Sequence, residues 1–171
     1  MYHETTLRIE MENEVKANEA IEVITKYISD IDDHNLNKLI ADLGVEENAV
    51  VAEVCPAFDE NTLYVIPELF KALAQNDSNS DFKGTVYYEN DYASFNCDVT
   101  FKEHSLTYHS EYFPENDIYC CPDEDCCEFI ATYAELIENE TFTCPECGKV
   151  YTADELVGER PEITDETWYI K

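Results

Sequence analysis

The chain has 171 residues, 44% of them apolar and 29% charged, and its 39 acids stand against ten bases for a formal charge of −29. A chain of this length suits one domain or one domain with a small appendage, and its apolar content excludes disorder throughout. The charge excludes a surface that attracts nucleic acid or anionic lipid and favours one that attracts basic partners.

Leu7, Ile9 and Met11 alternate with Thr6, Arg8 and Glu10, which predicts a half-buried strand. Asn13 is placed to cap a helix over 14–31, where Ala17, Ala20, Ile21, Ile24, Ile28 and Ile31 recur at helical spacing. The opposite face, with Glu14, Lys16, Glu19, Glu22 and Lys26, reads as solvated. A short second helix is expected over 35–43, with Gly44 as its closing glycine. The apolar runs Val50–Phe58 and Leu63–Ile66 predict strands, and Pro67 suits the first turn of a helix carrying Leu69, Phe70 and Leu73. Gln75–Asp81, rich in Asn, Asp and Ser, predicts a loop.

Residues 82–113 predict a three-stranded meander, with Val86 and Tyr88 in its first strand and Ala93, Phe95, Cys97, Val99 and Phe101 in its second. Leu106, Tyr108 and Tyr112 belong to the third, and the turns fall near Asn90-Asp91 and His104-Ser105. Pro114–Asp117 breaks the pattern. The expected divisions are an α+β domain over 1–116, a cysteine-rich module over 117–155 and an acidic tail or edge strand over 156–171, around Trp168 and Tyr169. The order of elements implies an antiparallel or mixed sheet with helices on one face.

No stretch approaches 18 consecutive apolar residues, so no membrane span is expected. The first residues lack a basic stretch followed by an apolar run, and eight cysteines fall short of a disulfide scaffold, so a reducing, cytoplasmic setting is expected.

Six of those cysteines crowd into 120–147, as Cys120-Cys121-Pro122-Asp123-Glu124-Asp125-Cys126-Cys127 and then Cys144-Pro145-Glu146-Cys147-Gly148. Two closely spaced cysteines on a tight turn, repeated some 20 residues later, set four sulfurs around a tetrahedron. Proline stiffens such a turn, amides after its first cysteine can donate to sulfur, and glycine leads the chain out. The metal donors expected are Cys121, Cys126, Cys144 and Cys147, with Cys120 and Cys127 as alternatives in the first half. Four thiolates leave no open position for water, so a structural rather than catalytic zinc ion is expected. Disulfide or redox pairing of the spare cysteines is the competing reading.

Residues 119–151, about a fifth of the chain, resemble a zinc ribbon, with Cys144-Pro145-Glu146-Cys147-Gly148 and Tyr151 like its second knuckle. The same knuckle is similar to that of rubredoxins, which hold iron. In the first half the second cysteine follows Cys121 by five positions, against three in the second half. The resemblance implies a bound metal, most simply Zn2+, and leaves function open, because ribbons host many.

Other candidate groups read as structural. His104 and His109 are expected on opposite faces of a strand, and His3 and His34 beside an end and a turn. Asp30, Asp32, Asp33 and Asn35 hint at a calcium loop but lack its glycine and glutamate. Cys55 and Cys97 read as core thiols. Tyr87, Tyr88, Tyr92, Tyr108 and Tyr112 read as cross-strand pairs, with an aromatic and acidic sheet face that recognises a basic protein as the alternative. Four glycines leave little material for a phosphate loop.

The acid excess is spread, 25 acids and seven bases over 1–118 and 14 and three over 119–171. An even spread gives roughly one net charge per 300 Å², sparser than the one per ~110 Å² of duplex DNA, so DNA mimicry requires acids gathered on one face. The expected function is non-enzymatic: an acidic binding protein for a basic protein partner, in its sharpest form a nucleic-acid-mimicking inhibitor of a defence or DNA-handling protein. The alternative is a small structural or accessory zinc-binding domain whose acidity serves solubility. Neither nucleic acid nor membrane is an expected partner.

Overall fold

A computed structural model describes residues 4–31, 42–54, 65–89, 93–114 and 118–171. The expectations for His3, His34, Cys55, Tyr92, the calcium-like motif from 32 onward, most of the second helix, residues 55–64 and the Asn90-Asp91 turn lie outside these residues.

The elements in chain order are β1 (Glu4–Glu10), α1 (Glu14–Ile31), β2 (Gly44–Glu46), β3 (Ala49–Val54), α2 (Val65–Asn76), β4 (Phe82–Glu89), β5 (Ala93–Lys102), β6 (Ser105–Pro114), β7 (Tyr119–Cys120), β8 (Phe129–Ala131), α3 (Tyr133–Glu138), β9 (Thr141–Thr143), β10 (Val150–Thr152) and β11 (Glu162–Tyr169). The protein is mixed α+β, with a seven-stranded antiparallel sheet in the order β11-β6-β5-β4-β1-β3-β2. Two compact units divide the chain, Met1–Tyr112 with Glu162–Lys171, and Phe113–Pro161.

Period-two patterning builds the sheet. Leu7 lies opposite Val86, which lies opposite Cys97, and Ile9 lies opposite Gly84, which lies opposite Val99. Those side chains are buried on one face, while Arg8, Thr85 and Asp98 of the same strands are exposed on the other. The buried face is covered by Ala17, Ala20, Ile24 and Ile28 of α1 and by Ile66, Leu69, Phe70, Leu73 and Ala74 of α2. Each large apolar side chain so buried contributes about 1.5–3 kcal/mol. Asn13 caps α1 as its position predicts, accepting from the Lys16 N–H at 3.0 Å. Gly84 is small for a reason of packing: a Cβ there would stand 2.4 Å from the Phe70 ring.

Four local expectations are corrected. Gly44 does not close a helix in a left-handed conformation; it opens β2, opposite Val51. Glu47 takes the positive φ, 55°, in the tight β2–β3 turn. Val65 and Ile66 begin α2 rather than end a strand, because Ile66 is buried with the helix face and Pro67 is tolerated in a first turn whose N–H groups have no partner anyway. The loop after α2 starts at Asp77 and not Gln75, since the helix runs on to Asn76. The β5–β6 turn lies at Glu103-His104, both at positive φ (51° and 65°), as the tight hairpins that match strand twist require. His104 is therefore a turn residue, and only His109 lies in a strand.

After β6 the chain builds the smaller unit and returns as β11, which pairs with β6 from Glu162 opposite Tyr112 to Tyr169 opposite Ser105. In the smaller unit β7 pairs with β8, and β9 with β10. Its core is Tyr119, Ala131, Leu136, Phe142 and Leu156. Two Thr-x-x-Glu capping boxes, Thr132 with Glu135 and Thr152 with Glu155, start α3 and the 3-10 turn Ala153–Glu155.

Candidate metal centre

Cys121, Cys126, Cys144 and Cys147 come together, their sulfurs all within 4.8 Å of one another. The Cys121–Cys147 sulfurs are 3.9 Å apart and the Cys126–Cys144 sulfurs 3.5 Å. These separations exceed the roughly 2.05 Å of a disulfide. They bracket the ~3.8 Å edge of a tetrahedron with metal–sulfur bonds of about 2.3 Å. Cys121 and Cys144 are buried, and the other two are partly or fully exposed.

Local backbone bonding explains how the two halves present their sulfurs. Cys144 donates to the Lys149 carbonyl at 2.9 Å and accepts from the Gly148 N–H at 3.0 Å, closing one knuckle. In the other, the Asp123 carbonyl accepts from both Cys126 and Cys127, at 2.9 and 3.0 Å. The longer spacing there is absorbed by an Asx turn, in which the Asp125 N–H donates to the Asp123 carboxylate at 3.2 Å. Amides that follow the second cysteine of each half reach its sulfur: the Glu128 N–H serves Cys126 and the Lys149 N–H serves Cys147.

The geometry of the cluster is one that could hold a cation. The Lys149 N–H brings the Cys147 thiol down to about 7. For Cys126 the Glu128 N–H acts the same way, but burial and the adjacent Cys144 and Cys121 sulfurs outweigh it and push the thiol up to about 12. Sulfurs this close cannot all ionise without a positive ion between them. The Tyr151 oxygen stands 3.4 Å from the Cys121 sulfur and 3.9 Å from that of Cys147. The Cys121 sulfur, with burial next, raises its pKa, so the hydroxyl stays protonated and can donate. Lys149 Nζ meets the Asp123 carboxylate at 2.5 Å, tying one knuckle to the other and holding that carboxyl below its usual range.

The two alternative donors stay out of the cluster. Cys127 is exposed, with its sulfur against the Asp123 and Glu124 carbonyls, and Cys120 belongs to β7, one residue before the inward-facing Cys121. The sequence reading missed the roles of Tyr151 as a sulfur neighbour and of the Lys149–Asp123 pair. The capping boxes were missed as well, although Thr132-x-x-Glu135 and Thr152-x-x-Glu155 carry their signature.

Elsewhere, Cys97 is fully buried and its thiol is pushed up to about 12, chiefly by desolvation, as befits an inert core residue. Tyr88 and Tyr108 are buried on the core face, while Tyr87 sits on the other face and bonds Glu89. His109 has both ring nitrogens against carboxylates, Asp165 at 2.6 Å and Glu111 at 3.3 Å, leaving neither free for a substrate. Among the described residues no helix is long and apolar enough to cross a membrane. Compared with known proteins, the chain matches no family model, no curated protein and no solved structure.

Proposed function

We propose that Cys121, Cys126, Cys144 and Cys147 hold one Zn2+ in a structural, zinc-ribbon-like site, and that the protein is a non-enzymatic acidic binder of a basic protein partner. The four-sulfur cluster carries the first half. A donor set of thiols without carboxylate or imidazole suits zinc and is wrong for magnesium or calcium. Zinc would lock the fold of the smaller unit, and with four thiolates bound it keeps no open position for catalysis.

The charge supports the second half. Ten bases cannot neutralise 39 acids however the chain folds. Several bases are also already committed to local acids: Arg8 to Glu10, Lys16 to Glu19 and Asp77, Lys71 to Glu68, and Lys149 to Asp123. Such a surface steers cationic partners and repels nucleic acid. The sharper form, in which the protein occupies the nucleic-acid site of a defence or DNA-handling protein, adds the requirement that the acids gather on one face.

Elemental analysis of protein purified without chelator is expected to find one zinc per chain. Absence of metal, or a disulfide among the four cysteines, overturns the site. For the partner, capture from a lysate at low salt and elution at high salt is followed by association rates on Glu14→Gln/Glu19→Gln/Glu22→Gln, three exposed positions of α1. Slower association is expected. If nothing elutes with salt, or the rate is unchanged, the acidity serves solubility and the protein is an accessory zinc domain.

A further inference from the structure

The smaller unit carries a row of apolar side chains that its core does not use. Cys120 exchanges two backbone hydrogen bonds with Val157, at 2.9 and 3.0 Å, and on its other side pairs with Phe129. Residues paired directly across strands project to the same face. The neighbouring residues fix which face that is. Tyr119 pairs with Ala131 and both are buried, and a Cβ on Gly158 would stand 2.7 Å from the Tyr119 ring. Tyr119, Ala131 and Gly158 therefore face the small core, and Cys120, Phe129 and Val157 face away from it; Phe129 and Ala131, two residues apart on β8, face oppositely because the register slips by one between their pairs with Cys120 and Tyr119, with Ile130 the extra residue packed on the core side. Phe129 is 46% exposed, Val157 60%, and Ile118, two residues before Cys120, 47%. A single exposed apolar side chain means nothing, but a contiguous row of them marks a contact surface.

Charge decides what can cover it. Residues 113–161 contain 13 acids and two bases. Both bases are engaged within the unit. Lys149 holds Asp123, and the Arg160 guanidinium donates to the carbonyls of Gly158, Ala153 and Leu156 while lying over the Tyr119 ring. A second copy of the unit would bring the same excess of acids to the same patch. Nucleic acid and anionic lipid are repelled as well.

We propose that Ile118, Cys120, Phe129 and Val157 form a docking surface for a protein segment in which an apolar side chain is flanked by lysines or arginines. The inference rests on the reading of the protein as a binder of basic partners, and it places the contact. The acid excess of the unit steers the segment in, and the apolar row desolvates its anchor and holds it.

Two synthetic peptides of equal charge test this, one with Phe and Leu set among lysines and one with Ser in their places. Binding of both to the full chain as purified is measured by fluorescence anisotropy at low salt, alongside Phe129→Ser/Val157→Ser. Metal content and thermal midpoint check that the variant is folded. The apolar peptide is expected to bind on the order of tenfold tighter than the serine peptide. The double variant is expected to erase that margin and leave serine-peptide binding as it was. Amide shifts in the unmutated chain, which need no variant, should concentrate at 118–120, 129–131 and 156–158. Equal affinity for the two peptides, unmoved by the variant, overturns the docking surface and leaves the basic-partner reading standing. Failure of both peptides to bind overturns that reading too. Self-association of the unmutated chain that the variant abolishes would show the patch to be an interface between copies, and overturns the proposal.

Discussion

Cys127 and Gly148 hold the same place in the two halves of the cysteine cluster, one residue past the second ligand candidate, and both have left-handed backbone, with φ of 49° and 70°. Glycine adopts that conformation freely, whereas a side chain there costs about 1–2 kcal/mol. Cys127 is thus in the position of a turn glycine and not of a metal donor. Cys127→Gly is expected to leave metal content unchanged. Its stability should change from nil to a gain of about 1 kcal/mol, because relief of strain is partly offset by the greater freedom of glycine in the unfolded chain, about 0.5–1 kcal/mol. Denaturation midpoints with parallel metal analysis measure both, and loss of the metal would make Cys127 a donor.

The pairing of β11 with β6 carries a pH-sensitive clasp at the level of elements. His109 on β6 lies directly opposite Asp165 on β11, and its other ring nitrogen meets Glu111. Asp165 foremost, then Glu111, raises the His109 pKa above its ordinary 6.5. A raised pKa in the folded state means that the protonated ring stabilises the fold. The contribution is complete below about 6.5 and is lost as pH rises through the folded value. The stability of the chain relative to His109→Gln should therefore be greater at pH 6 than at pH 9. Denaturant melts at the two pH values measure this, and an unchanged difference would show that the clasp is electrostatically silent, as exposed pairs often are.

The two units of the whole molecule differ in what holds them. Among the described residues, the larger has a core that runs across the sheet, α1 and α2, while the smaller, Phe113–Pro161, has five buried apolar residues as its core cluster. So small a core does not by itself offset the chain entropy of its unit, which makes bound metal the expected source of its stability. Chelation is expected to raise hydrogen exchange in 118–161 while β1, β4 and β5 stay protected. Exchange rising equally in those three strands would mean that the two units share one cooperative transition.

What could be read from the sequence was what is encoded locally. The helix over 14–31 follows from Asn13 and a 3.6-residue apolar period, and the meander from strict alternation in β4 and β5, because a cap and a period need no knowledge of the rest of the chain. The cysteine spacings likewise point to a four-sulfur cluster. They could not choose between neighbours, since Cys120-Cys121 and Cys126-Cys127 offer almost the same position along the chain. The choice is made by direction. Tyr119 and Cys120 of β7 point to opposite faces, Cys121 just past the strand turns to the cluster, and Cys127 takes the left-handed turn that exits the first knuckle. Gly44, Val65 and Ile66 were misread because their state is set by what they pair or pack with: the neighbouring β3 strand of a tight hairpin for the first, the buried face of the sheet for the others. The apolar row at Ile118, Cys120, Phe129 and Val157 has no local signature at all. It exists only because β7 pairs with β8 on one side and with Val157 on the other, and pairing across strands is decided by the folded chain rather than by any stretch of it.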